Sequence, residues 1–466
     1  MRTKPNAPVR RGGDGCARFR HIVAALSLCV AVIPAAEAGA ATFPTSTSIS
    51  SEVSRTLRAA VAADREVASF YRARDYRPLW LIGGMVRPEA EQVVALVRSA
   101  AADGLDPDRY DADALADAVA AAEGRDPVAL ARAEFMLSDA LAAYASDLRR
   151  ASSVGMYYVD RDLAPRALSP EQVLDTVAAS SSVADGIASV TRMNPLYTRL
   201  RDAFAAFDGS PAQAQLVRAN LERARALPAD LGRRYVLVDA ASAQLWMVED
   251  GEVAGNMRVV VGRPGEQTPM MAGFIRHLTL NPFWNVPPDL VARLIAPNVV
   301  RRGISYLDQA GYEVLSDWTA DAEPVDPSTI DWQAVVDGSV ELRVRQRPGP
   351  ANSMGSVKFM FPNDRGVYLH DTPNRELFRN ADRRNSAGCV RVEDADALAR
   401  WLFGARPRPA SDAPEQNVDL PEPVPVYITY LTARPDNGGI TFQNDIYGRD
   451  RQLLARVGGA SMAARR

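Results

Sequence analysis

The hydrophobic period of this chain changes near Pro228, and that change divides what it can fold into. Residues 45 to 225 are rich in Ala, Leu, Asp and Arg and carry apolar residues at helical spacing. In EQVVALVRSAAADG, Val93, Leu96, Val97 and Ala100 share one face and Asp103-Gly104 closes the helix; ALARAEFMLSDALAAYASDLRR is a second such helix. The spacing predicts an all-helical domain over 45–225. Beyond Pro228, RYVLVDAASAQLWMVEDGEVAGNMRVVVG alternates apolar with polar residues, and Asp250-Gly251 is a hairpin signal. A mostly-β domain is expected over 233–450, with further strands in HLTLNPFW, SVKFMFP, GVYLHD and PVYITYLTA and a tail at 451–466. Between the Trp284 and Val357 strands the rhythm breaks, which predicts an insertion at about 300–347 acting as a cap. The fold class expected is a multidomain α+β protein.

The first 20 residues hold six basic side chains against one acid, Asp14, and lead into IVAALSLCVAVIPA, an apolar run too short to span a bilayer comfortably. It ends in Ala36-Glu37-Ala38. This reads as a signal peptide over 1–38, cleaved near Ala38 for export to the periplasm, with an uncleaved anchor as the alternative. Removing it takes the formal charge from −3 to −7, with 48 basic and 55 acidic residues left. A mildly acidic exported protein has no electrostatic reason to hold nucleic acid.

Cleavage would also leave Cys389 as the sole cysteine and His277 and His370 as the only histidines. Exported proteins stabilised by cysteine use it in pairs, so a lone thiol points to chemistry. The alternative, a small buried hydrophobe, is opposed by the neighbours Asn385, Ser386, Gly388 and Arg391. His370 ends the strand VYLHD nineteen residues before Cys389, and a strand end can meet the return of its own loop. An imidazole there could take the thiol proton and make Cys389 a nucleophile. Gly388 would let its own N–H and that of Cys389 converge on an oxyanion. His277 is read as an ordinary half-exposed strand histidine, and no ligand cluster suggests a metal. A papain-type protease has the opposite order of cysteine and histidine.

HDTPN followed by SAGCVRV resembles the catalytic signature of the L,D-transpeptidases of bacterial cell walls. VVGRPGEQTP, LNPFWNVPP, RQRPGPANSMGSVKFMFPN and DIYGRD resemble the large periplasmic members, while RDYRPLW, DGLDP and LSDALAAYASDLR resemble their helical scaffold. The resemblance implies a β-sandwich-like catalytic domain with an inserted capping subdomain. It also implies Cys389 as nucleophile, His370 as base, Gly388 as the glycine before the nucleophile, and Ser386, Arg391 and Asp371 as substrate-binding candidates. Two departures stand out: Ala387 occupies a position where many members have His, and AFAAFDGSPAQAQLVRANLERARALP leaves no room for a peptidoglycan-binding module.

What the resemblance implies is acyl transfer without a cofactor. Cys389 would attack the carbonyl following the L-centre of diaminopimelate in a tetrapeptide stem, expel D-Ala, and pass the acyl group to the amine of a neighbouring stem as a 3→3 cross-link. Carbapenems would be covalent inhibitors, and other cell-wall enzymes are conceivable partners. The alternatives are an L,D-carboxypeptidase or stem-cleaving hydrolase using the same acyl-enzyme, and a non-catalytic wall scaffold.

Overall fold

A computed structural model describes residues 46–61, 65–150, 153–436 and 439–455. The signal peptide expected over 1–38 and most of the tail lie outside the described residues; Arg451–Ala455 continue a short helix.

The N-terminal half is built around the helix Pro127–Arg149, which buries Leu130, Leu137, Leu141, Tyr144 and Leu148 against Ser46–Ala60, Ala90–Arg98 and Ala112–Ala121. Four helices begin alike, with Asp126, Ser169, Asn194 or Ser210 capping the first free N–H groups and proline in the first turn. Proline there gives up no helical hydrogen bond. Glu134, buried on the long helix, accepts hydrogen bonds from the Tyr71 hydroxyl and, at 2.9 Å, from the Trp80 N–H, and so ties RDYRPLW to the helix core. One expectation fails locally. The helix expected to end at Asp103-Gly104 stops at Arg98, where the Ser99 hydroxyl donates to the Leu96 carbonyl (2.9 Å), and Ala100–Asp103 form a tighter turn before Gly104 at φ +71°. Tyr157–Tyr158, from the mostly helical half, also pair with Met271–Ala272 of the sheet.

In the C-terminal half, eight strands pair round in a ring. Val357–Met360 is followed by Leu369–His370, Val390–Val392, Glu252–Gly262, Gln244–Glu249, Arg234–Asp239, Gln416–Thr429 and Met271–Leu280, which pairs back to the first. Alternation sends Val236, Val238, Leu245, Val259, Ile275, Phe359, Leu369 and Val390 into one core. Tyr235, Val248, Tyr427 and Leu431 face outward and bury Leu196, Leu227 and Leu231, which docks the helical half on the outside of the ring.

The insertion has a separate core. Trp284–Val286, Arg343–Gln346 and Tyr312–Leu315 form an antiparallel sheet, and Val291, Ile295, Val299, Leu307, Trp332 and Val335 pack beside it. It therefore begins at Trp284, earlier than the expected 300. The Trp284 strand, read from sequence as part of HLTLNPFW, leaves the ring at Asn281 and pairs within the insertion. The buried side chain of Asn352 gathers both chain crossings, donating to Pro282 O (2.9 Å), Gln346 O (3.2 Å) and Arg347 O (2.9 Å). Asn352→Ala should therefore loosen the insertion by roughly 1–3 kcal/mol, the cost of leaving buried polar groups unpaired. Hydrogen exchange should accelerate across 284–346 and hold steady in the ring strands; uniform acceleration would mean that Asn352 supports the whole domain.

Candidate active site

Strand register assembles the site. Leu369 pairs with Val390 and His370 with Arg391 in parallel, while Lys358 pairs with His370 and Phe359 with Leu369 in antiparallel. Phe359, Leu369 and Val390 thus form a row facing the core, and Lys358, His370 and Arg391 form the adjacent row on the opposite face. Two residues before His370 and Arg391, Tyr368 and Cys389 lie on that same outer face. All five line a cleft of about 250 Å³, whose far wall is Phe283, Trp284, Asn285, Pro287 and Leu290 at the start of the insertion. Asp371 lies outside that cleft, while Ser386 and Ala387 are on its wall.

His370 is 1 % exposed. Its Nδ1 lies 2.6 Å from the Asp371 carbonyl oxygen, which can only accept, so Nδ1 carries the proton and Nε2 is the basic nitrogen. Burial above all, and then the Arg391 and Lys358 cations, push its pKa down to about 3 against the opposing pull of the Asp371 carbonyl and carboxylate. The imidazole is held neutral and ready to accept a proton. Burial also pushes the Cys389 thiol up; the Tyr368 backbone N–H, Arg391 and Lys358 pull the other way. The resting pair is thus thiol and imidazole, with the thiol directed at Gly366 O (3.4 Å) and two cations placed to stabilise the thiolate as it forms.

Several assignments shift. Ser386 is 3 % exposed and donates its hydroxyl to Cys389 O (2.6 Å) while accepting the Gly388 N–H (3.2 Å), so it shapes the nucleophile loop. The Gly388 N–H expected at the oxyanion is thereby occupied, and Cys389 N–H remains of the two donors. Gly388 adopts φ +109°, a region that disfavours any side chain. Asp371, expected to touch substrate, turns its carboxylate to Ser356 (N–H 2.8 Å, hydroxyl 3.0 Å) and Arg375 (2.6 Å), and orients the His370 ring through its carbonyl. Gly355 packs against that carboxylate where a Cβ would collide. Ala387 leaves its side of the cleft without an imidazole. His277 is half-buried on its strand and does not line the cleft.

Arg391 makes no ion pair among the described residues, and its buried Nε lacks a hydrogen-bond partner. Lys358, whose Nζ is 3.4 Å from Glu415, and the exposed Arg365 complete a set of three cations; among the described residues no carboxylate lines the cleft. Sequence reasoning passed over Lys358 and Arg365. For Lys358 the signal was available: beyond Lys4 it is the only lysine in the chain, every other cation being arginine.

Residues 233–424 match the family described as the L,D-transpeptidase catalytic domain, and residues 65–204 match one described as a scaffold domain. A protein of Haemophilus influenzae named "Putative L,D-transpeptidase" is 28% identical over 406 residues, covering 84% of this chain and 79% of that protein. The structure of the Ldtfm-avibactam carbamoyl enzyme matches at 15% identity over 42% of this chain and 49% of its own, with a TM-score of 0.20. An L,D-transpeptidase from Mycobacterium smegmatis matches at 14% over 42% of this chain and 58% of its own, also at 0.20. This chain thus spans about half the length of each, and overlaps so small establish nothing about the fold, which rests on the strand pairing above.

The imidazole makes two measurable demands. NMR of His370 should show an Nδ1-protonated neutral ring with no titration between pH 8 and 5; a midpoint near 6.5 would refute its enclosure. Because its folded pKa is depressed, the unfolded chain takes the proton first as pH falls. Its stabilising contribution is complete above about 6.5 and is lost toward about 3. His370→Gln should therefore lose less urea resistance than wild type between pH 6.5 and 4, and matching losses would deny the linkage.

Proposed function

We propose that this chain, whose residues 233–424 match the family described as the L,D-transpeptidase catalytic domain, forms 3→3 peptidoglycan cross-links through a thioester on Cys389. The observation that carries this reading is the cleft itself: a cysteine, a neutral histidine and three cations, without a carboxylate on its wall. A donor stem ending in free carboxylates suits such a wall, because guanidinium and ammonium groups pair with carboxylate.

In the first step the thiol proton passes to His370 Nε2 and the sulfur attacks the carbonyl that follows the L-centre of diaminopimelate. The Cys389 N–H faces the oxyanion, with Lys358 and Arg391 near the developing charge. The C–N bond to D-Ala breaks, the imidazolium protonates the leaving amine, and a thioester remains. In the second step the side-chain amine of an acceptor stem attacks the thioester. A C–N bond forms, the C–S bond breaks, and the acceptor's proton returns to sulfur by way of His370. The insertion, as the cleft's far wall, restricts the access of water to the thioester. The proposed site of action is the periplasm, after removal of residues 1–38.

The test is mass spectrometry of muropeptides after incubation of tetrapeptide-bearing peptidoglycan with protein lacking residues 1–38. Release of D-Ala together with 3→3 dimers is expected, and Cys389→Ala should yield neither product nor a carbapenem adduct. His370→Ala should lower acylation by roughly 10²- to 10⁴-fold, the scale of general base catalysis. Tripeptide monomers without dimers would instead identify a hydrolase, and an adduct on Cys389→Ala would remove the nucleophile assignment.

A further inference from the structure

Thr268 is fully buried in the turn between the strands Glu252–Gly262 and Met271–Leu280. Its hydroxyl accepts the Gly262 N–H (2.8 Å) and donates to the Gly388 carbonyl (2.8 Å), so its single proton is spent on the residue before the nucleophile. The Gly388 carbonyl and the Cys389 N–H are opposite ends of one planar trans peptide unit. Holding the oxygen therefore sets the direction of the N–H. Ser386 pins the next peptide unit through the Cys389 carbonyl and occupies the Gly388 N–H, which leaves Cys389 N–H as the donor whose aim the two hydroxyls fix.

Thr268 is itself held from behind. Its carbonyl accepts Arg449 Nη2 (2.9 Å), Arg449 Nε donates to Gln267 Oε1 (3.1 Å), and the guanidinium lies over the rings of Tyr430 and Tyr447 at 4.9 and 4.8 Å. The Tyr447 hydroxyl donates to Gly262 O (2.6 Å). Gly262 is where the turn folds back so closely that a Cβ would strike the Glu266 carbonyl. Tyr447 and Arg449 lie beyond the 233–424 match. A fully buried hydroxyl that bridges two backbone groups, buttressed by a stacked arginine, is more than packing requires.

We propose that Thr268 is a positioning residue for acyl transfer: through the Gly388 carbonyl it aims the Cys389 N–H at the oxygen of the carbonyl under attack. This rests on the reading of Cys389 as an acyl-transfer nucleophile. Any loss caused by removing the hydroxyl belongs to reactions that build an oxyanion. In p-nitrophenyl acetate the Cys389 sulfur adds to the ester carbonyl, negative charge collects on oxygen, and the C–O bond to p-nitrophenolate breaks to leave an acetyl thioester. Iodoacetamide instead reacts by displacement; an S–C bond forms as the C–I bond breaks, and no oxyanion arises.

Both rates are measured at Cys389 by peptide mass spectrometry in otherwise full-length chains. Thr268→Val should slow acetylation on the order of 10²-fold, the usual cost of one oxyanion donor, and leave alkylation unchanged; Thr268→Ser should restore acetylation. Thr268→Ala, which also lacks the hydroxyl but cannot overfill the site, provides the same comparison if the valine substitution impairs folding. Equal losses in both reactions, or undiminished acetylation in the hydroxyl-free variants, would overturn the role of Thr268 alone. Wild-type protein alkylated but never acetylated at Cys389 would sink the acyl-transfer reading together with it.

Discussion

The parallel pairing of Leu369–His370 with Val390–Val392 is the constraint on which the site depends. Parallel neighbours cannot be joined by a tight hairpin, so the chain must leave one strand and return to enter the next in the same direction. Here the excursion is the segment between His370 and Cys389, with one short helical turn at Arg375–Arg379. It does two things at once. Its start supplies the Asp371 carbonyl that fixes the imidazole tautomer, and its end supplies the tight loop that presents the thiol. Ring closure makes the arrangement rigid, because each of the two short strands is held on both sides.

That rigidity is put to electrostatic use. The chain as a whole is acidic, with a formal charge of −3, yet the outer row beside Cys389 is cationic. Burial disfavours the charged forms of His370, Cys389 and Arg391, so imidazole and thiol both rest neutral beside an arginine that makes no ion pair among the described residues. A cleft walled by low-dielectric residues and lined by one sign of charge concentrates its field on what enters. Charge balance across the whole surface would have hidden this.

Much of this was legible in the sequence, and the failures have physical causes. The change of period near Pro228 located the two architectures because alternation and helical spacing are local signals. That Cys389 and His370 meet in one cleft was legible because a lone thiol in a chain expected to be exported is chemically odd and because the loop between them is short. Gly388 was misjudged as a second oxyanion donor because a serine two residues earlier competes for its N–H, and such local side-chain bonds leave no periodic trace. The start of the insertion was placed late because Trp284–Val286 carries the same alternation as the strand before it; only its partner, Arg343–Gln346, shows that it has left the ring. The resemblance implies Asp371 as a substrate-binding candidate, and Arg375 and Ser356, which claim its carboxylate, are recognisable only once the loop is folded.

The lysine at 358 has a consequence for how the protein can be handled as a reagent. With residues 1–38 removed, the chain has one side-chain primary amine, that of Lys358, a residue of the cleft wall whose Nζ lies 3.4 Å from the Glu415 carboxylate and beside the Tyr368 ring. Guanidinium groups are inert to amine-directed acylating dyes at neutral pH. An isotope or fluorophore introduced by such chemistry therefore has only the terminus and the Cys389 cleft as destinations. A surface-labelling procedure that scatters probes over most proteins becomes, on this one, a way of reporting from the cleft itself.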